Sequence, residues 1–124
     1  MDDSSFAYRK LIVYQKARKF VKDVYSVTKG YPTEERYALC NQMQRAAVSI
    51  TSNIAEGLSR YSDKDKVHFI EIAFGSLCEI LSQLEVSLDL EYISVEVFNS
   101  MESQAMDISK MLSGLRKTYL SRIG

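Results

Sequence analysis

Apolar residues recur every three or four positions along most of the chain, which is the period of an amphipathic α-helix. Four such stretches follow one another at about residues 7–29, 33–59, 63–90 and 95–121. The chain has one Pro and five Gly, which are few turn-forming residues for a β-rich fold. Because short loops place successive helices side by side, the pattern predicts an all-α fold. We expect a single domain, residues 1–124, built as an up-down-up-down antiparallel four-helix bundle.

Residues that commonly stop and start helices stand at the predicted boundaries. Gly30 and Pro32 follow the first helix in the order expected just past a helix C-terminus. Ser62, with Asp65 three residues later, is typical of a capped N-terminus for the third helix. Ser94 is the corresponding cap for the fourth helix.

The second predicted helix carries a polar seam, which we define as Arg45, Ser49, Asn53 and Glu56 within the stretch RAAVSITSNIAEG. Spacings of four, four and three put these side chains on one side of a helix, nearly opposite its apolar stripe. The seam either fastens the helix to neighbours in its own bundle or contacts another subunit. Gly75 is grouped with it, because a small residue on the third helix permits close approach. A catalytic role for the seam is the weakest alternative.

Charge is balanced overall, with 16 basic and 16 acidic residues, but it is unevenly distributed. The stretch from Arg9 to Lys66 has twelve Lys or Arg against six Asp or Glu. The stretch from Val67 to Asp107 has eight acids and no Lys or Arg. Either the charged faces are simply solvated, or the positive side of one copy meets an anion or the negative side of another copy. Diagonal placement of the first and third helices favours pairing between subunits.

Residue types that support catalysis or metal binding are scarce. His68 is the only histidine, so a di-iron bundle, which needs two, is excluded. Cys40 and Cys78 lack the spacing of a zinc site, and the five glycines are too far apart for a phosphate-binding loop. We therefore predict a protein that is not an enzyme and that takes no metal, cofactor or small-molecule substrate. His68 is expected to be exposed or to cap a helix.

The sequence also predicts the cellular compartment of the protein. The first ten residues are acidic and polar, unlike a signal peptide, and no apolar run approaches the length of a membrane span. We expect a cytoplasmic protein without a membrane partner. In such a compartment, Cys40 and Cys78 are predicted to be reduced and mostly buried.

Several motifs carry a resemblance to a known family. They are VYQKA in the first helix, YPTEERYAL at the first loop, QMQRAAVSITSNIAEGLSR in the second helix and FIEIAFGSLCEI in the third. The chain resembles the four-helix-bundle family encoded by intervening sequences within bacterial 23S rRNA genes. That family also includes the accessory variability protein of diversity-generating retroelements. The resemblance implies a homo-oligomer, most simply a pentameric ring.

The resemblance leaves three functions open. The first is an oligomeric scaffold associated with RNA or a nucleoprotein. Its candidate nucleic-acid-binding residues are the cations of the first helix: Arg9, Lys10, Lys16, Arg18, Lys19 and Lys22. The second is an adaptor that docks a protein such as a retroelement reverse transcriptase. The third, an enzyme, has no support in the residues.

Overall fold

The computed structural model describes residues 4–123, within which the chain forms four α-helices and no strand. The helices are α1 (Ile12–Thr28), α2 (Leu39–Gly57), α3 (Asp63–Asp89) and α4 (Val95–Leu120). Each helix contacts its neighbours in the chain, and α1 also contacts α4. In the described residues no Cα atom of α1 lies within 8 Å of one in α3, so these two helices lie diagonally across the bundle. The prediction of an all-α four-helix bundle is confirmed.

All four helices contribute to one continuous core. The apolar stripes face inward because burying them removes apolar surface from water, which is the main favourable term in folding. The largest fully buried side chains from the four helices are Phe20, Val24, Met43, Ile50, Ile54, Ile70, Leu77, Ile80, Leu84, Ile108 and Leu112.

The third and fourth helices begin and end within one residue of the predicted positions. The Ser62 hydroxyl accepts a hydrogen bond from the backbone N–H of Asp65 at 3.0 Å. The Ser94 hydroxyl accepts one from the N–H of Val97 at 3.1 Å. Both predicted N-caps are confirmed. Asp2 and Asp3, which are two of the 16 acidic residues in the charge count, lie outside the described residues.

The first helix differs from its predicted bounds, because α1 begins at Ile12 and not near residue 7. Ser4–Lys10 forms a separate 3-10 helical segment that is kinked at Phe6, and Leu11, between this segment and α1, has an extended backbone. In this arrangement the Tyr8 ring packs edge-on against the Tyr14 ring, with 4.9 Å between centroids. The break places Arg9 outside α1.

The second helix also begins later than predicted. A short 3-10 helix, Thr33–Glu35, precedes it, and α2 itself begins at Leu39. The Glu35 carboxylate accepts hydrogen bonds from the Tyr92 hydroxyl at 2.8 Å and from the Leu39 N–H at 3.5 Å. The bond to Glu35 raises the pKa of Tyr92, because it stabilises the protonated phenol. A residue from the α3–α4 loop therefore helps to set the start of α2.

The third helix is long and apolar enough to cross a membrane by length and composition. In the structure its apolar side packs against α2 and α4, with Ile70, Leu77 and Leu84 essentially inaccessible to solvent. Its opposite side carries exposed acids, Glu71 and Glu79 among them. This is the arrangement of the core helix in a helical bundle.

The two cysteines have different environments. Cys40 is buried on α2, where its Sγ lies 3.6 Å from the Thr28 carbonyl oxygen. Burial and, secondarily, the charge of Glu35 raise the pKa of its thiol. The prediction that both cysteines are buried is wrong for Cys78, which is exposed on the outer side of α3. The single histidine, His68, is exposed, as predicted.

Candidate nucleic-acid interface

The six cations predicted to bind nucleic acid fall on two elements. Lys16, Arg18, Lys19 and Lys22 are exposed on α1, whereas Arg9 and Lys10 belong to the preceding 3-10 helix. The Arg9 guanidinium lies 4.9 Å from the centroid of the Phe6 ring, a cation–π arrangement. The prediction that all six share one helix is therefore wrong. The backbone break at Leu11 separates the two groups.

Two of the α1 lysines form ion pairs within the bundle. Lys16 Nζ lies 3.6 Å from an Asp107 carboxylate oxygen on α4, and Lys19 Nζ lies 2.6 Å from Asp23. Gln104 donates a second hydrogen bond to Asp23 at 2.9 Å. These two lysines therefore form ion pairs within the chain, while pairing between subunits stays a prediction.

The pKa of Asp23 reflects this environment. Burial acts to raise it, but the hydrogen bonds from Lys19 and Gln104, together with the charges of Lys19 and Lys22, lower it below its usual value. Asp23 therefore stays ionised and offsets part of the positive charge on this edge of α1.

A row of unpaired cations follows the outer side of α1. Arg18 and Lys22 are four residues apart, and Lys29, at the C-cap, is seven residues beyond Lys22. Such spacings place side chains on one side of a helix. None of the three forms an ion pair within residues 4–123. Lys29 was not among the predicted residues, although its spacing from Lys22 is a signal that the sequence contains.

The sequence predicted that the polar seam lies nearly opposite the apolar stripe of α2. In the structure the seam lies beside α3. Ser49 and Asn53 are half-buried, and the Ser76 hydroxyl of α3 donates a hydrogen bond to the Ser49 hydroxyl at 2.8 Å. The Asn53 amide donates to the carbonyl and hydroxyl oxygens of Ser49, at 2.8 and 3.0 Å. The middle of the seam therefore fastens α2 to α3, which is the intramolecular alternative.

The two ends of the seam are exposed. Arg45 borders an open groove of about 450 Å³ between α2 and α3, which Ser49, Ser76 and Glu79 also line. Glu56 accepts a hydrogen bond at 2.7 Å from Arg60, which lies in the loop just after α2. A Cβ at Gly75 would have no described atom within 4 Å. Gly75 therefore has no packing role within the chain, and this leaves its surface open to another molecule.

Within residues 4–123, no three His, Cys, Asp or Glu side chains come close enough together to hold a metal ion.

Together, the bundle, the seam and the basic side of α1 define a class: small all-α proteins with charged outer helical faces. The chain belongs to the 23S rRNA-intervening sequence protein family, whose model matches residues 9–114.

A solved structure supports the same assignment. It is the crystal structure of a protein of unknown function from the S23 ribosomal protein family of Bacteroides thetaiotaomicron. The two chains superpose with a TM-score of 0.79 at 26% sequence identity, covering 86% of this chain and 96% of that one. No curated protein matches the sequence. Neither the family nor the related structure indicates a catalytic activity.

Proposed function

We propose that this protein is a non-enzymatic, oligomeric bundle that associates with RNA or a nucleoprotein through the outer side of α1. The observation that carries the proposal is the exposed row formed by Arg18, Lys22 and Lys29, none of which forms an ion pair within the described chain. A row of cations suits the phosphate backbone of a nucleic acid. Membership of a family named after 23S rRNA intervening sequences agrees with this ligand.

The chemistry of the row sets the strength of binding. Arg18, Lys22 and Lys29 can contact phosphates, but phosphate contacts carry no base information. Such binding weakens steeply as the salt concentration rises, because the release of counterions from the RNA into a saltier solution gains less entropy. We expect sequence-tolerant RNA binding, micromolar at best, that fades between low and physiological salt.

Neutralising the row tests the proposal. The triple variant Arg18→Gln, Lys22→Gln and Lys29→Gln should abolish RNA binding at low salt and leave the melting temperature within a few degrees of wild type. Fluorescence anisotropy with a labelled single-stranded RNA measures the first, and circular dichroism measures the second. Lys110→Gln, which removes an exposed lysine from α4, is the control and should bind almost as wild type. Wild-type affinity in the triple variant would contradict the proposal.

Neutral substitutions are preferable to charge reversal on this helix. A glutamate at position 19 would face Asp23, and one at position 16 would face Asp107. Like charges at these distances destabilise the bundle, so a loss of RNA binding would be confounded with a loss of folding.

Assembly is the second part of the proposal. Glu85 and Asp89 on α3 and Glu96 and Glu102 on α4 form no ion pair within the described chain, while the basic row lies on α1, diagonal to α3. Opposite charges on different sides suit a head-to-tail contact, which closes into a ring. The family resemblance supports a ring of five.

Light scattering tests the assembly directly. At micromolar concentration we expect a mass about five times the 14.2 kDa of one chain. Gly75→Leu should reduce that mass if the open surface of α3 lies in the contact. Gly114→Leu is the matched control, since a Cβ at Gly114 also meets no described atom within 4 Å. A mass near 14.2 kDa for the wild type would contradict the proposal.

The alternative, an adaptor that docks another protein such as a reverse transcriptase, has one observation in its favour. The large apolar side chains Ile72, Phe74 and Val86 are exposed along α3. Apolar surface of this kind suits protein contacts more than nucleic acid. An absence of RNA binding at every salt concentration would favour the adaptor.

A further inference from the structure

Cations and aromatic rings meet at the end of the bundle where α2 passes into α3 and α4 ends. The Arg60 guanidinium lies 4.8 Å from the centroid of the Phe69 ring. The Tyr119 ring has two cations near it, Lys66 Nζ at 5.9 Å and the Arg122 guanidinium at 5.3 Å. These distances are those of cation–π contacts, which bring positive charge and flat apolar surface together. We call these five residues and Tyr61 the basic–aromatic end.

Further contacts hold the three cations in place. Arg60 pairs with Glu56 at 2.7 Å, and Arg122 lies 4.0 Å from Asp63. The Lys66 ammonium donates a hydrogen bond to the Arg60 carbonyl oxygen and has no carboxylate partner in the described chain. Contacts within the chain therefore position all three cations, and Lys66 keeps its charge without a carboxylate partner.

Tyr61 is the most exposed of the large hydrophobic residues that the structure describes, and it is fully accessible to solvent. It lies in the loop between α2 and α3, next to Arg60, and Lys64 follows it within the first turn of α3. The exposed Tyr61 ring, which has a cation on either side of it in the sequence, is stabilised when another flat surface covers it. A base of a nucleic acid is such a surface.

We propose that the basic–aromatic end binds single-stranded nucleic acid, with a base stacked on Tyr61 and phosphates on Lys66, Arg60 and Arg122. Aromatic platforms flanked by cations are the usual means of holding single strands without reading their sequence. The proposal rests on the proposed function in taking RNA as the ligand. It adds a second surface, away from the outer side of α1, that holds a base as well as phosphates.

A single strand fits this end better than a duplex. Bases in a duplex are already stacked on one another, whereas unpaired bases can leave the strand and cover an aromatic ring. An acidic protein segment would satisfy the cations but would leave the Tyr61 ring uncovered. The exposed tyrosine therefore selects nucleic acid over an acidic partner.

Substitution of Tyr61 separates stacking from charge. Tyr61→Ala should weaken binding of a labelled single-stranded oligouridine about fivefold or more at low salt, since stacking contributes roughly 1–3 kcal/mol per base. The dependence of binding on salt should stay unchanged, because the ring carries no charge. Tyr61→Trp should keep or raise the affinity. The matched control is Tyr37→Ala, which removes a tyrosine 85% exposed at the opposite end of the bundle.

Each result bears on the proposal. A loss confined to Tyr61→Ala, restored by Tyr61→Trp, supports it. Unchanged binding of Tyr61→Ala would overturn it while leaving the proposed function of the α1 row intact. Equal losses in Tyr61→Ala and Tyr37→Ala would also overturn it. An absence of RNA binding by the wild-type protein would overturn both proposals. Competition by polyglutamate as strong as that by RNA would assign the surface to an acidic protein.

Discussion

Phe20→Ala should lower the free energy of unfolding by about 3–5 kcal/mol. Phe20 lies at the centre of α1, and its side chain is completely shielded from solvent by the other helices. Truncation removes apolar surface from the core and leaves a cavity that the surrounding helices fill only in part. For a protein of this size the loss is a large share of the total stability. Urea denaturation followed by circular dichroism measures it.

Phe74→Ala is the matched control for this prediction. The substitution is chemically the same, but Phe74 is 42% exposed on the outer side of α3. Its cost should be about 1 kcal/mol or less, since surface substitutions leave no sealed cavity. Equal losses for the two variants would mean that the bundle is not packed around Phe20.

Gly57→Ala should destabilise the protein, although alanine normally favours a helix by about 1 kcal/mol over glycine. A Cβ at Gly57, the last residue of α2, would lie 2.5 Å from the Cβ of Phe69 and 3.6 Å from the Lys66 carbonyl oxygen. The Phe69 Cβ is bonded directly to the α3 backbone and the Lys66 oxygen belongs to it. An alanine at position 57 therefore requires α3 itself to shift. We expect a net loss of about 1–3 kcal/mol, the usual cost of overpacking.

Gly114→Ala should change the stability of the protein in the opposite direction. A Cβ there meets no described atom within 4 Å, so only the helix preference acts and stability should rise by about 0.5–1 kcal/mol. Chemical denaturation of the two variants side by side checks both. A gain in stability for Gly57→Ala would show that α2 and α3 do not approach closely at this position.

The sequence predicted the parts of the fold that depend on local signals. The ends of α3 and α4 were predicted well because Ser62 and Ser94 cap them through residues only three positions away. The start of α2 was predicted too early: the chain there forms a 3-10 helix whose Glu35 bonds to Tyr92, 57 residues away. No local pattern contains such a contact.

The candidate site was predicted in part, for a related reason. The spacing along α1 indicated a basic side, but not that Asp107, on a different helix, would pair with Lys16. The basic–aromatic end was missed because its residues come from two helix ends and a loop that only the folded chain brings together. Arg60 and Arg122, for example, are far apart in the sequence.

The apolar character of α3 has a consequence for the order in which the protein is made. Ribosomes synthesise α2 before α3 and α4 after it, so α3 leaves the ribosome with one of its two covering helices still missing. During that interval Leu77 and Leu84 have α2 to pack against but lack α4. A chain whose synthesis stops after α3 exposes a long apolar surface, of the kind that chaperones and membranes both bind. Synthesis of α4 therefore completes the core and also ends the period in which the nascent chain is most prone to aggregate.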